Sequence, residues 1–590
     1  MATIHVAGTK LAQPTPKLPL IKPFLFSLGA VFILAMHFFM PNPGGSGLAL
    51  SFNPTTWLVL GIAIAIGLYQ IGTLGILRYN KLTIGFFISC LAITIPVVYP
   101  TSAIELTVGK IAGLWAGYIL FVVLQQFRFS NKQKQRLLWF ITIGVFIEAI
   151  LGWVQYLFLQ PGNPLGYDTV QNRPYGIFQQ PNVMASFLTT GLAISGYLLT
   201  RQRVKYQSKL SEIALLYLMP LVTIPLLIVL ASRTGWLSAI LVILFTLPYL
   251  FRFATNKRRW GWVLSVVLGL GIGLIPSLLS ADTATLSEQK VHLESPRQYT
   301  FPQTLDMFIE KPFTGYGYGK FESEYIIYTA RQHQLNNDYE PGLASMDHPH
   351  NELLYWGVEG GLLPLIGILI AAILILYRIY QTKKGTRLAL FALFIPIVLH
   401  TQLEYPFYHS AVHWITFIIL LYWVDQRVNK YRIFTLSFIS QTALRVLSLL
   451  VPILVGFYML SALHTNYVLT QFERSNPKKP DILDQVSNPV VWKDRYNWDI
   501  YSTYLNIGLF TQDAKLIEPY INWSLEIIKD KPRPAFYNNL ILAYQGLGDM
   551  EKAEQIRSEA QFLFPRQDFS QVQYIPPNID ALKAENEKQP

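Results

Sequence analysis

The sequence runs to 590 residues, of which 52% are hydrophobic and 14% charged, with 13 Trp, 33 Tyr and 36 Phe; soluble domains carry about 25% charged residues, so water is excluded as the main solvent and lipid is indicated. The formal net charge of +12 lies in short Lys/Arg clusters between apolar runs, a placement that marks membrane orientation and argues against a nucleic-acid partner. The single cysteine, Cys90, excludes an intramolecular disulfide and a cysteine-based metal cluster.

Residues 1–20 are polar, lack a small-residue cleavage site and read as a retained cytoplasmic N-terminus. Apolar runs follow at 21–40, 55–77, 82–99, 106–126, 137–159, 183–200, 211–231, 234–251, 260–280, 354–377, 388–405, 411–425 and 446–463. A membrane helix needs about 20 such residues, which predicts an all-α polytopic membrane protein with about 13 transmembrane helices. Basic residues fall in every other loop. Lys10, Lys17 and Lys22 surround the start of the first span, Arg78 and Lys81 follow the second, and further clusters stand at 128–136, 201–209, 252–259, 378–387 and 427–432. The positive-inside rule places these loops and the N-terminus in the cytoplasm and the alternate loops, with the C-terminus, outside.

The domains expected are therefore the N-terminal segment 1–20, a first set of transmembrane helices over 21–280, a large periplasmic loop over 281–353, the last transmembrane helices over 354–463, and a periplasmic helical domain over 464–590. A loop as long as 281–353 exceeds any simple connector, and such loops tend to be functional. Within the tail, Leu540, Ala543, Tyr544, Gly548, Ala553 and Ala560 are spaced like a tetratricopeptide helix pair that closes at Pro565. The polar end, 577–590, is expected to fray.

Three outer positions carry polar groups that the membrane alone does not explain. Arg173 precedes a Pro- and Gly-containing loop, NRPYGIFQQPN; Arg233 sits in ASRTG with almost no loop to carry it outward; and DHPHNE, 347–352, opens the tenth run. Each has a plain structural reading: an ordinary loop charge, a snorkelling anchor, and a well-made helix start in which Asp347 and Asn351 cap and Glu352 suits the N-terminal dipole. Together they suggest more. Arg binds phosphate with a planar, permanently charged fork, and imidazole takes a proton near neutral pH. Two outward arginines and a histidine on one face would form a phosphate leaving-group site beside a general base. His348 and His350, even taken with Asp347, are followed by no further ligand at metal-ligand spacing, so no metal is expected. Glu404, His409 and His413 lie at the outer end of the last hairpin, where lining the site and capping helices are equally open.

HPHNELLYWGVEGG, 348–361, resembles the signature of the O-antigen ligase and polymerase superfamily (Wzy_C type), in which a His precedes Asn and a Gly-rich helix start. RQYTFPQTLDMFIEKPFTGYGYGKF, 297–321, resembles that family's large loop, and ASRTGWLSAI, 231–240, its Arg-bearing span opening. NRPYGIFQQPNVMASFL, 172–188, is similar to the N-terminal signature of PglL-type protein O-oligosaccharyltransferases. The resemblance implies a GT-C-like membrane fold in the bacterial inner membrane. It implies an undecaprenyl-diphosphate-linked oligosaccharide as donor and a Ser or Thr of a periplasmic protein, often a pilin, as acceptor. It makes His350 the catalytic His, with His348 the alternative. It makes Arg173 and Arg233 the holders of the donor pyrophosphate and Arg297 a further candidate, with Asn351 and Glu404 possible members of the site. The transfer it implies is inverting and uses no metal or other cofactor. Glycan transfer to lipid A-core or to another glycan is the alternative within this chemistry. A polyprenyl-linked sugar transporter and a non-catalytic docking protein are the alternatives outside it. The enzymatic readings require Arg173, Arg233 and His350 to converge on one hollow.

Overall fold

The computed structural model describes residues 20–200, 209–279, 295–428 and 430–577. Lys10, Lys17, Arg201, Arg203, Lys205, the first part of the 281–353 loop and the polar end from 578 onward lie outside the described residues.

The chain is an all-α polytopic membrane protein. Its helices run α1 Ile21–Ile33, α2 Phe52–Leu74, α3 Lys81–Thr94, α4 Ile104–Gln126, α5 Asn131–Leu157, α6 Pro181–Leu199, α7 Leu210–Val229, α8 Arg233–Phe253 and α9 Asn256–Leu279. They continue as α10 Arg297–Glu310, α11 Phe321–Leu335, α12 Glu352–Gly360, α13 Leu362–Gln381, α14 Arg387–Ala392, α15 Ile395–Thr401, α16 Pro406–His409, α17 Ala411–Asp425 and α18 Phe438–Arg474. The last four are α19 Lys493–Thr511, α20 Ala514–Ile527, α21 Pro534–Gly546 and α22 Met550–Leu563. Among the described residues, 10 helices are long and apolar enough to cross a membrane, or 11 if α14 and α15, bent by 48° at their junction, form one broken span. Ile21–His37 and Ala411–Asp425 are apolar but shorter. The expected count of about 13 spans is thus 10 or 11 helices of sufficient length plus these two short ones.

Two runs that read as single spans are interrupted. The run 354–377 breaks at Gly361, whose φ is +72°, and a Cβ there would come within 2.3 Å of the Phe313 carbonyl oxygen. Only glycine tolerates that backbone and that approach. Glu352–Gly360 is therefore a separate short helix, and the membrane-length helix starts at Leu362. The run 388–405 bends between Ala392 and Ile395, ahead of Pro396. The last span runs past 463 as one helix to Arg474.

Helix α6 is the axis of the bundle. Every residue from Val183 to Leu199 is buried. A helix buried all round cannot present a polar face, so its hydroxyls turn inward: Thr189 and Thr190 donate to the carbonyls of Ala185 and Ser186, each at 2.8 Å. Gly191 and Gly196 let Val145 and Trp262 approach closely. At one end of the bundle, β1 (Ile76–Tyr79) pairs antiparallel with β2 (Arg432–Thr435), joining two of the basic loops on a common face. Beside it Asp425 is enclosed by the amides of Asn80, at 2.8 and 2.9 Å, and of Gln125, at 2.9 Å.

At the other end, the loop helices α10–α12 and the tail helices α19–α22 share one apolar core. It joins Met307, Phe321, Tyr325 and Tyr355 to Leu505, Tyr520, Tyr537 and Leu540. Arg533 clasps Glu322 with two bonds, at 2.6 and 2.9 Å, and Lys320 pairs with Asp530. The tail helices stack in succession as two helix pairs, and Gly548, at φ +77°, turns the second pair.

Candidate functional site

The site is built where α6 begins. Two polar side chains of α5 fix the loop that enters it. Gln155 Oε1 accepts from the backbone N–H groups of Tyr175 and Gly176 at 2.9 and 2.8 Å, and Gln155 Nε2 donates to the Gly176 carbonyl at 3.0 Å. Glu148 Oε2 accepts from Ile177 N–H at 2.9 Å, and its other oxygen faces His37 Nδ1 at 2.8 Å. Gly176 has φ +60°, and a Cβ would fall 2.2 Å from Glu148 Oε2, so this position requires glycine. Gln180 then caps α6, accepting from Val183 N–H at 2.7 Å, and Pro181 occupies the first turn.

Arg173 reaches across this loop to the end of α7. Its Nε and Nη2 donate to the Leu230 carbonyl at 3.0 and 2.7 Å, a cation placed on the unsatisfied carbonyls of a helix C-terminus. Three residues on, Arg233 is the exposed first residue of α8, whose cap is Ser232, accepting from Gly235 N–H at 3.2 Å. A Cβ on Gly235 would come within 2.7 Å of the Ala185 Cβ, so the start of α8 presses on the first turn of α6. Both arginines therefore occupy the corner where α6, α7 and α8 meet.

The histidine loop approaches the same end of α6. Asn351 caps α12, accepting from Leu354 N–H at 3.0 Å, while its Nδ2 donates to the Gln402 carbonyl at 3.1 Å. His348 is buried among Tyr355, Tyr405 and Tyr408, with ring centroids 4.3, 5.0 and 5.4 Å away. Burial holds its pKa well below the ordinary imidazole value. Its Nδ1 accepts from His350 N–H at 2.9 Å. His348 is thus a neutral prop for the backbone of His350, which separates two histidines that spacing alone leaves equivalent.

His350 has φ +58°, the left-handed region that costs a non-glycine residue about 1–2 kcal/mol. In return its ring faces out. Nδ1 lies 2.7 Å from Glu404 Oε2, and among the described residues no protein group bonds Nε2. The side chain is 35% exposed. Glu404 Oε1 takes an ion pair from Arg297 and a hydrogen bond from Asn182 Nδ2 at 3.2 Å. Burial by itself would raise the Glu404 pKa, but the His350 bond, the charges of His350 and Arg297 and the Asn182 bond together hold it below the usual carboxylate value.

Glycines dock this assembly against its neighbours. In PFTGYGYGKF, Gly315, Gly317 and Gly319 have φ of +65°, +112° and +79°. Tyr316 and Gly317 N–H donate to the carbonyls of Val358 and Glu359 at 2.8 and 3.0 Å, lacing the loop to the end of α12. Gly319 N–H bonds Glu359 Oε1 at 3.0 Å, and Tyr318 OH reaches the Ile93 carbonyl at 2.6 Å. The glycine-rich stretch thereby fixes the helix that follows His350.

Glu404 is in direct contact with both His350 and Arg297, and Asn351 binds the turn that carries Glu404. The structure gives Arg173 no bond to this group, and Arg233 stands with Arg173 at the adjoining corner. A cavity of about 2560 Å³ runs between α2, α4, α13, α17 and α18, with Lys110, Glu352, Gln402 and Tyr408 at one end and apolar walls beyond. None of His350, Arg173, Arg233 and Arg297 lines it, so the single hollow expected for them is not this cavity. His409 and His413 are buried and turned away from His350. His409 Nε2 meets the Phe178 carbonyl at 2.7 Å, and His413 Nε2 meets Ser186 Oγ at 3.0 Å. Both pack α6 and its entry loop. Asn182 was missed in the sequence; its one signal is a polar residue just after the proline that starts a buried helix.

Three family models match separate parts of this chain: "Protein glycosylation ligase" over residues 174–199, "O-Antigen ligase" over 218–369, and "Virulence factor membrane-bound polymerase, C-terminal" over 388–578. The first covers the loop pinned by Glu148 and Gln155 together with α6. The second runs from α7 through the histidine loop into α13. A curated relative, a general O-oligosaccharyltransferase of Acinetobacter baylyi, is 25% identical over 331 residues, which are 52% of this chain and 54% of the relative. The match thus spans about half the length of that protein. The first two matches overlap the stretches 172–188 and 348–361, whose resemblance to PglL-type transferases and to O-antigen ligases the sequence led us to expect.

Proposed function

We propose that this PglL-type chain is an O-linked oligosaccharyltransferase. It moves a glycan en bloc from undecaprenyl diphosphate to a Ser or Thr hydroxyl of a periplasmic protein such as a pilin. The observation that carries the reading is the His350–Glu404 pair, 2.7 Å apart, with the second imidazole nitrogen unengaged among the described residues. With the proton on Nδ1 and donated to Glu404, Nε2 holds the lone pair that takes the acceptor proton. The hydroxyl oxygen bonds to the anomeric carbon as the carbon–oxygen bond to the diphosphate breaks, and that proton passes to His350. One displacement inverts the anomeric centre. Arg173 and Arg233, at the corner beside α6, receive the leaving diphosphate, and Arg297 adds positive charge at Glu404. The arginines carry the charge work that a metal performs in many transferases, and no cofactor enters the reaction.

By the positive-inside rule this reading puts the loops joined by β1 and β2 on the cytoplasmic side of a bacterial inner membrane and the site and tail helices in the periplasm. Glycoproteomics of strains with and without the gene tests the assignment, and protein glycopeptides that vanish with the gene are the expected result. The matches to ligase and polymerase models favour a second reading, transfer to lipid A-core or to another glycan. It predicts a change in lipopolysaccharide with no mass shift on any protein.

A further inference from the structure

A glutamate carboxylate is two-fold symmetric, and its terminal torsion is soft, so nothing within Glu404 decides which oxygen faces which partner. The decision is made outside it. Oε1 receives both Asn182 Nδ2, at 3.2 Å, and Arg297, which leaves Oε2 for His350 Nδ1 at 2.7 Å. Arg297 supplies charge from a side chain that is 30% exposed. Asn182 supplies direction, from a backbone locked by Pro181 and by the Gln180 cap at the head of the buried helix.

The contact belongs to a register between two segments. Four residues along α6 from Asn182, Ser186 Oγ meets His400 Nδ1 at 2.7 Å. Four residues before Glu404 on the facing segment is that same His400, whose carbonyl accepts from Glu404 N–H at 2.8 Å. Residue 182 thus stands opposite 404 and 186 opposite 400, one turn apart on both sides. The lower rung is sealed: Ser186 is 1% exposed and His400 0%. The upper rung opens on His350.

We propose that Asn182 is a positioning residue for the transfer reaction. Its amide orients the Glu404 carboxylate so that His350 presents Nε2 to the acceptor. This rests on the reading of His350 as the general base, and it gives the entry loop's signature a task in the chemistry besides packing. Besides His350 and Arg297, the titratable groups facing Glu404 are His409 and Tyr405.

The test uses the full-length protein in membranes, with a polyprenyl-diphosphate-linked oligosaccharide and a co-expressed periplasmic acceptor protein. Asn182→Ala removes the donor. Asn182→Asp keeps the shape but sets a second carboxylate against Glu404, and like charges at this distance oppose each other. We expect kcat to fall about 10–100-fold in Asn182→Ala, the range for outer partners of a reactive group, with both KM values little changed. Asn182→Asp should be worse than Ala at neutral pH. The ratio of its kcat to that of Ala should rise as pH falls, because a protonated Asp donates again. Asn182→Ser, a shorter donor, should lie between Ala and the native residue, and melting temperatures of the solubilised variants check folding. A merely space-filling Asn182 would leave Asp equal to the native enzyme at every pH, and that result overturns the proposal, as does a loss confined to KM. Full activity in His350→Ala would refute the underlying reading. An inactive His350→Ala beside a native-like Asn182→Asp would refute this inference alone.

Discussion

Among the described residues, two carboxylate–imidazole pairs have almost the same geometry. His37 Nδ1 lies 2.8 Å from Glu148, and His350 Nδ1 lies 2.7 Å from Glu404. They differ in what the remaining atoms do. His37 Nε2 meets the Phe32 carbonyl at 3.1 Å, Glu148 holds the loop at Ile177, and the ring is 15% exposed. That pair is closed, and it pins a loop. Among the described residues His350 keeps one nitrogen without a protein partner, its side chain is 35% exposed, and its backbone is held in a strained conformation. That pair is open. A short contact does not distinguish a candidate base from a structural pin; the fate of the second nitrogen does.

The contrast is broken most directly at the histidines. His350→Ala is expected to lower transfer by about 10²–10⁴-fold, the usual cost of losing a general base, with little change in melting temperature. His37→Ala should do the reverse. It leaves Glu148 buried without its partner and should destabilise the solubilised protein by about 1–3 kcal/mol, read as a lower melting temperature, with activity per folded molecule retained. Glu404→Gln removes charge but not shape and should cut kcat by about 10–100-fold, whereas Glu148→Gln should act on stability alone.

Gly176→Ala forces a Cβ onto Glu148 at a positive-φ position, so thermal stability should fall at the closed pair, by at least the ~1–2 kcal/mol of the backbone term. The smallest effect concerns acid. The Glu404 pKa is lowered on folding, so its contribution to stability is present above the ordinary Glu value of about 4.3 and is lost as pH falls through the folded value. Acid unfolding curves of Glu404→Gln should be flatter than those of the native protein below that pH, and coincident curves would show that the carboxylate is not held as described.

Much of this was legible in the chain. Apolar length located a helix at every predicted span, because burying about 20 apolar residues in lipid leaves the backbone few alternatives. The breaks at Gly361 and at residues 393–394 were not legible, because they are set by close approach to the loop at Phe313 and by tertiary packing. His350 and Glu404 drew notice by residue type and place and Arg297 through the family resemblance, but their mutual contact joins positions over 50 residues apart. Asn182 carried no charge to draw notice. The role of His348 needed its three surrounding tyrosines. Arg173 drew notice by its charge, but its bonds to the Leu230 carbonyl, 57 residues away, were not legible.

The apolar core shared by α10–α12 and α19–α22 has a consequence for biogenesis. Tyr325 and Tyr355 are buried in one cluster with Tyr520, Tyr537 and Leu540, residues that follow them far along the chain. Contacts so distant in sequence are late to form. The wall behind His350 is therefore completed when α19–α22 have been made and have docked on α10–α12.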